Sequence, residues 1–326
     1  MKNIKVGVIG AGYLGRFHAQ KYADLESVDL IGVADTDTAR GLEVSKECKC
    51  QYFRDYKEML QSIDAVSIVV PTVNHFEVAR NCIEADTDIL LEKPMTVTLE
   101  EADQLITLAG KKKLLLQVGH LERFNPAVQA IEPFLTSPVF IESNRIATFK
   151  NRGVDVDVVL DLMIHDIDII LNIIKSPIKE IHTVGAPVVT AITDIANARL
   201  IFENGATANV TVSRISMSNK RKMRIFQPGS YINVDFGNKK VMIVELSDVL
   251  MDSGMPKPSI QTKAFIDTDA LRSEIISFIE HVRDRTRPVV SGEEGRRALA
   301  IALQVIEQIK EHQKLDLFKN MFNPPR

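Results

Sequence analysis

Gly10-Ala11-Gly12-Tyr13-Leu14-Gly15 sets three glycines at the spacing G-x-G-x-x-G, directly after the apolar run from Ile4 to Ile9. Such a turn exposes backbone N–H groups at the start of a helix, where the helix dipole favours an anion. Gly10 permits the tight turn, Gly12 lets a pyrophosphate approach the backbone, and Gly15 lets the helix pack close to the sheet. The hexapeptide alone is a weak signal. Between a strand and a helix it points to a bound dinucleotide, bordered by Tyr13 and Leu14. Asp35 ends the next apolar run, in Val33-Ala34-Asp35-Thr36-Asp37. A carboxylate there accepts both adenosine ribose hydroxyls and repels a 2′-phosphate, which favours NAD over NADP. Arg40 keeps NADP open, and Asp37 is the better candidate to cap the following helix.

Two further groups could move protons. Lys93 lies in Leu91-Glu92-Lys93-Pro94, at the carboxyl end of a predicted strand, where α/β folds bind ligands. His165 follows Asp161 by four residues, so a helix sets both on one face. Oxidation of an alcohol needs a group that takes the hydroxyl proton while hydride leaves. An imidazole has a near-neutral pKa for that work. An ammonium can stabilise the negative charge that develops on the oxygen. Lys93 could instead be the base if burial lowered its pKa; the residues leave the choice open, and His165 is preferred. Each pair alone has a plainer meaning, because a Glu-Lys pair at a strand end is usually solvated and an Asp and His four apart are usually an exposed polar pair. Their occurrence together with the glycine turn is what raises them to candidates. His165-Asp166-Ile167-Asp168 offers one imidazole and carboxylates at different angles around a helix, so no metal is expected.

These groups need a frame. Short β-branched runs at 4–9, 29–34, 65–70, 88–91 and 114–118 alternate with amphipathic stretches at about 13–25, 38–47, 74–85 and 99–112. Continuous apolar runs suit parallel strands covered on both faces. The rhythm predicts a doubly wound parallel sheet of the Rossmann type over residues 1–121. Beyond Gly119 the pattern changes. Helices are expected at 126–134 and 159–174, a strand at 139–149, and successive strands over 178–246 with turns at Asn204-Gly205, Pro228-Gly229 and Gly237-Asn238. A loop at 251–258 and helices at 270–285 and 293–312 complete an α+β domain over 122–326, with a mostly antiparallel open sheet. Ile201, Val210, Val212, Ile225, Ile232 and Val234 are apolar strand positions that predict pairing of the open face in a homodimer or homotetramer.

The chain's 326 residues suffice for two compact domains, and 45% hydrophobic with 25% charged residues is ordinary globular composition. A net charge of -3 gives no broad positive field, so neither nucleic acid nor membrane is an expected partner. No run of about 18 apolar residues is present, and the first residues lead straight into a strand pattern rather than a signal peptide. Cys48, Cys50 and Cys82 lack a scaffold-like spacing, which predicts reduced thiols in the cytoplasm. Cys48-Lys49-Cys50 lacks the two-residue gap of common zinc sites. No tyrosine is followed four residues later by lysine, which excludes the short-chain dehydrogenase pattern.

In chain order, the glycine turn, Asp35, Pro71-Thr72-Val73-Asn74-His75, Glu92-Lys93-Pro94 and Asp161-Leu162-Met163-Ile164-His165 resemble the glucose-fructose oxidoreductase/inositol dehydrogenase (Gfo/Idh/MocA) family. The resemblance covers nearly the whole chain, and the ordered combination is specific although each motif is not. It implies an NAD-dependent dehydrogenase acting on a CH–OH group, with its active site between two domains. Lys93 and His165 would be the chemical pair, supported by Asp161. Thr72, His75, Glu92, Lys93 and Arg123 would join the glycine turn and Asp35 at the cofactor, and the Lys93–Pro94 bond would be cis. Two departures stand out. Val158-Val159-Leu160 and Met163 replace small residues, which would reshape the substrate pocket, and Ala85-Asp86-Thr87-Asp88 replaces a remote Ala-Gly turn.

Gly119-His120-Leu121-Glu122-Arg123-Phe124-Asn125-Pro126, taken with Asp161 to Asp168, is similar to the branch of that family acting on UDP-N-acetylglucosamine. That similarity implies oxidation of the sugar 3-hydroxyl to a ketone, which is handed to an aminotransferase in some lipid A pathways. Arg123 and Asn125 would then contact substrate; alternatively Arg123 clamps a carboxylate and Pro126 starts a helix. Lys220-Arg221-Lys222, Arg224 and Arg152 are candidate cations for a diphosphate, although a charge run is usually a solvated face. The competing readings are a related enzyme for another sugar or polyol such as inositol, and a non-catalytic NAD(P)-binding regulatory protein. Retention of both Lys93 and His165 argues against the latter.

Overall fold

The computed structural model describes residues 3–149 and 156–314. The first elements in chain order are β1 (Ile4–Ile9), α1 (Tyr13–Ala23), β2 (Val28–Ala34), α2 (Thr38–Cys48), β3 (Gln51–Phe53), α3 (Lys57–Leu60) and β4 (Ala65–Ile68). α4 (His75–Glu84), β5 (Asp88–Glu92), α5 (Leu99–Lys112), β6 (Leu116–Gly119), α6 (Pro126–Gln129), β7 (Phe140–Thr148) and α7 (Ile164–Ile173) follow. Then come β8 (Ile178–Ala186), β9 (Ile195–Phe202), β10 (Thr207–Ser216), β11 (Lys220–Gln227), β12 (Ser230–Asp235), β13 (Lys240–Leu250) and β14 (Pro256–Ala264). α8 (Ala270–Asp284) and α9 (Gly292–Gln313) end the described chain.

These elements form two compact units, the first running through Phe124 and taking in Asp269–Arg297 as well. Residues 269–297, expected with the rest of 122–326, thus complete the first unit. The reason is packing: Ile275, Phe278 and Ile279 of α8 join Val6, Val8, Ala19, Tyr22 and Leu90 in one apolar core. The first unit's sheet has the order β3-β2-β1-β4-β5-β6, with every neighbour parallel. Chain order reverses between β1 and β4, and ligands of such sheets bind beyond the strand ends at that point. β3 and α3 escape a reading for periodicity because they are only three and four residues long.

The second unit comprises Asn125–Thr268 and the chain from Ala298. Its sheet has the order β14-β13-β12-β11-β7-β10-β9-β8 and is antiparallel except where β7 meets β10. One face packs on α7 and α9. Val210, Val212, Ile225, Ile232 and Val234 are at most 1% exposed and belong to this internal core. They therefore face the unit's own helices, which corrects their expected place on an open face; Ile201 is half-buried. The opposite face carries neighbouring aromatic rings, with Phe140 5.7 Å from Phe226 and Phe226 5.0 Å from Tyr231. The predicted loop at 251–258 also needs correction, because Pro256 and Pro258 lie on β14, paired with β13. Proline is tolerated there because β14 is an edge strand. Among the described residues, no helix is long and apolar enough to cross a membrane.

Candidate active site

The glycine turn closes the gap between β1 and α1. Gly10 has φ +98°, and a Cβ there would meet Val69 O at 2.5 Å. A Cβ on Gly15 would lie 1.8 Å from Gly10 O, so both positions demand glycine for steric reasons. Gly12 is different: a Cβ there meets nothing within 4 Å among the described residues. The space over it is open, and α1 begins with neither a capping side chain nor an acidic residue in its first turn. That leaves uncapped N–H groups facing an open cradle, which fits a dinucleotide diphosphate. Tyr13 and Leu14, 61% and 39% exposed, border it.

Asp35 stands at the end of β2. Its Oδ2 accepts the Ala11 N–H at 2.7 Å and its Oδ1 the Asp37 N–H at 2.8 Å. Arg40 donates to both oxygens, from Nε at 3.1 Å and Nη2 at 2.8 Å. Burial alone would raise the carboxyl, but the Arg40 guanidinium and the two backbone N–H groups hold it below the usual carboxylate range. As expected, Asp37 caps α2 by accepting the Arg40 N–H.

Lys93 follows β5 directly and is half-buried. The Lys93–Pro94 peptide is cis. Glu92 Oε2 accepts the Lys93 N–H at 3.2 Å. Thr72 opens a short 3-10 turn, Thr72–Asn74, beyond the end of β4. His75 is 1% exposed, and its ring nitrogens lie 2.9 Å from Pro94 O and 2.9 Å from Val70 O. It is a strut joining the two loops that carry Thr72 and Lys93. Burial pushes its imidazole down, against the pull of those carbonyls. Arg123, also buried, lies in the 3-10 turn Leu121–Phe124, with Nη2 3.5 Å from Val289 O. The glycine turn, Asp35, Thr72, His75, Glu92 and Lys93 thus gather at the carboxyl ends of β1, β2, β4 and β5.

In the second unit, Val159–Met163 forms a π-turn before α7. A regular α-helix was expected to carry Asp161 and His165. The π-turn instead widens the spiral there, with both side chains half-buried; such turns recur at functional sites. The residue after His165 is pinned. Asp166 accepts Arg145 Nε at 2.8 Å, Arg145 Nη2 at 3.2 Å and Ser143 Oγ at 2.9 Å, and Arg145 lies 5.3 Å from the Phe236 ring centre. Asn125 N-caps α6, accepting the Ala127 N–H at 3.1 Å, with Pro126 in the first turn. That geometry engages the Asn125 carbonyl oxygen in a local cap. Lys222 pairs with Asp235 at 3.1 Å, and Arg224 pairs with Glu142. Of the basic run, Lys222 and Arg224 therefore have carboxylate partners. Arg152 lies outside the described residues. Among the described residues, no group of three His, Cys, Asp or Glu could hold a metal ion.

Three buried residues escaped the sequence reading: His18 on α1, Ser67 on β4 and Glu274 on α8. Each is a polar residue at a position where its element is otherwise apolar. That break in pattern was the available signal.

Two family models match the chain. Residues 4–120 fit an oxidoreductase family with an NAD-binding Rossmann fold, and residues 142–228 fit the GFO/IDH/MocA C-terminal domain. The chain is 39% identical to a UDP-N-acetylglucosamine 3-dehydrogenase of Acidithiobacillus ferrooxidans, over 94% of its own length and 97% of the relative's. A solved structure of that relative superposes with a TM-score of 0.88 at 38% identity, covering 95% of this chain and 99% of the other. A myo-inositol 2-dehydrogenase of Thermotoga maritima is 24% identical over 96% of this chain and 98% of its own. A levoglucosan dehydrogenase in complex with NADH shares the fold, with a TM-score of 0.84 at 17% identity over 95% of this chain and 98% of the other. The uncapped glycine turn, the carboxylate at the end of β2 and the family matches make this an NAD-dependent oxidoreductase of CH–OH groups, and the chain belongs to the Gfo/Idh/MocA family.

Proposed function

We propose that the protein oxidises the 3-hydroxyl of UDP-N-acetylglucosamine to a ketone with NAD, using Lys93 and His165 on the same hydroxyl. The observation that carries the substrate is the identity of 39% over 94% of the chain to an enzyme named for that reaction, against 24% to the myo-inositol enzyme. NAD, when bound, supplies the hydride acceptor. The first turn of α1 holds the diphosphate through its N–H groups, and Asp35 accepts the adenosine ribose hydroxyls. His165 takes the hydroxyl proton, with Asp161 orienting its ring. Lys93 hydrogen-bonds the same oxygen and stabilises the charge that builds there as the C–H bond breaks. Thr72, His75 and Glu92 shape the ledge that presents Lys93, and Arg123 and Asn125 support the substrate from the 121–126 segment.

The keto sugar is a substrate suited to an aminotransferase, as in lipid A assembly. The free thiols of Cys48, Cys50 and Cys82 support a cytoplasmic location. Self-association in a homodimer or homotetramer uses the open sheet face, supported by the aromatic row Phe140, Phe226 and Tyr231.

Incubation with NAD and a panel of UDP-N-acetylglucosamine, free N-acetylglucosamine and myo-inositol, followed by NADH absorbance, tests the substrate. Turnover on the nucleotide sugar well above the others is expected. Preference for myo-inositol would replace this reading with the polyol one.

A further inference from the structure

Behind Lys93 the first unit buries a chain of polar side chains from three elements. Tyr22 OH lies 2.8 Å from Ser67 Oγ, and Ser67 Oγ lies 3.1 Å from His18 Nδ1. His18 Nε2 lies 3.3 Å from Glu92 Oε1, within ion-pair range though off the line of a hydrogen bond. The other Glu92 oxygen accepts the Lys93 N–H. Tyr22, His18 and Ser67 are wholly buried. Burial pushes the Tyr22 phenol up, so it stays a donor. The donors can therefore all run one way: Tyr22 O–H to Ser67, Ser67 O–H to His18 Nδ1, and His18 Nε2–H toward the Glu92 carboxylate. Bonds aligned in this sense polarise one another and converge on one acceptor.

A second carboxyl sits in the same interior. Glu274 on α8 is 0% exposed, and neither of its oxygens has a hydrogen-bond partner among the described residues. Two carboxyls in one apolar setting resist ionising together. Here burial, reinforced by the charge on Glu92, pushes Glu274 well up. Burial also works to raise Glu92, but His18 and Lys93 hold it below the usual range. On the surrounding elements, α1 buries Tyr22 and His18, while its Arg16 pairs with Glu43 and Glu47 and its Lys21 with Asp269; Glu92 and Lys93 lie at the end of β5, and Glu122 and Arg123 on the turn that packs against α8.

We infer that His18 is a positioning residue for the Lys93 step: with Ser67 and Tyr22 it fixes Glu92, rather than Glu274, as the ionised carboxyl, and Glu92 fixes the backbone that carries Lys93. This rests on the proposed role of Lys93. Without His18, Glu92 gains a proton at low pH, lets go of the Lys93 N–H and loses its attraction for the ammonium.

The test is the pH profile of kcat for His18→Gln, with Lys93→Met as the control for the underlying reading. The loss of kcat is expected on the acid side, about 10-fold below the limb for each pH unit by which the limb has moved. KM for NAD stays near wild type. The acidic limb moves up by about one pH unit or more, the shift expected when an opposing partner of a carboxyl is removed, so activity recovers in alkali. Adding Glu274→Gln removes the competing carboxyl and restores part of the loss. A wild-type profile in His18→Gln, or an equal loss at every pH, overturns the inference. Full turnover by Lys93→Met would instead overturn the role of Lys93 itself. If His18→Gln fails to fold, Ser67→Ala, which removes only the contact orienting the imidazole, must show the same shift in smaller size; an unmoved limb in that variant overturns the inference as well.

Discussion

Asp35 holds one carboxylate against four donors, two of them from Arg40. A ribose that claims those oxygens competes with the guanidinium, and the guanidinium is half exposed, free to swing away. This arrangement gives the cofactor preference a specific weak point. Asp35→Ala should raise Kd for NAD about 10-fold or more, the worth of hydrogen bonds to a charged group, and should release Arg40 toward a 2′-phosphate, narrowing the preference for NAD over NADP. Titration of both cofactors by fluorescence checks this; an unchanged ratio of affinities would refute the role of Asp35. The residue was legible because only a few positions after a glycine turn can reach a ribose. Arg40 was named as well, but not its grip on Asp35, because a side chain five residues away can point to solvent equally well.

At the scale of elements, the buried acid on α8 makes a stability prediction. Glu274 is raised from 4.5, so the folded protein keeps a proton that the unfolded chain releases. Its contribution is fully present below pH 4.5 and is lost as pH rises through the folded value. Glu274→Met should therefore stabilise at neutral pH, by roughly 1–3 kcal/mol for a buried unpaired polar group, and the gain should grow with pH. Urea denaturation at several pH values measures it; a gain that shrinks as pH rises would contradict the assignment. Arg145 offers the opposite case. Arg145→Met leaves Asp166 charged and buried without its partner, which costs about 3–5 kcal/mol. Arg145→Met with Asp166→Leu should recover much of that, and no recovery would show that the pair does more than balance charge.

The same scale shows what periodicity can and cannot carry. Long elements such as α5 declare themselves, with Thr98 and Glu101 forming a reciprocal cap and an apolar stripe behind. The π-turn at Val159–Met163 does not, since one extra residue in a turn leaves the apolar pattern nearly unchanged. β14 was hidden for another reason. Its residues are exposed throughout, so no face alternates, and its two prolines mimic a loop. His18, Ser67 and Glu274 were hidden in elements that were themselves predicted. A polar side chain in an apolar stripe becomes meaningful only when a partner from a distant element is seen beside it.

For the whole molecule, the order of motifs along the chain was enough for fold class and family, because a parallel sheet of order 3-2-1-4-5-6 and an antiparallel sheet following it leave different traces in sequence. The affiliation of residues 269–297 with the first unit was not legible, since an amphipathic helix does not say which core it covers. The central proposal is that Lys93 and His165 act on one hydroxyl. The most direct measurement is a double-mutant cycle of kcat/KM with NAD and UDP-N-acetylglucosamine, using Lys93→Met, His165→Ala and both together, with NAD affinity measured in parallel. Each single variant should lose about 100-fold or more, the scale of a lost general base or charge stabiliser, while binding NAD normally. The double variant should lose far less than the product of the two, as groups that work as a unit do. Near-normal turnover in both single variants, or losses that simply multiply, would contradict the account.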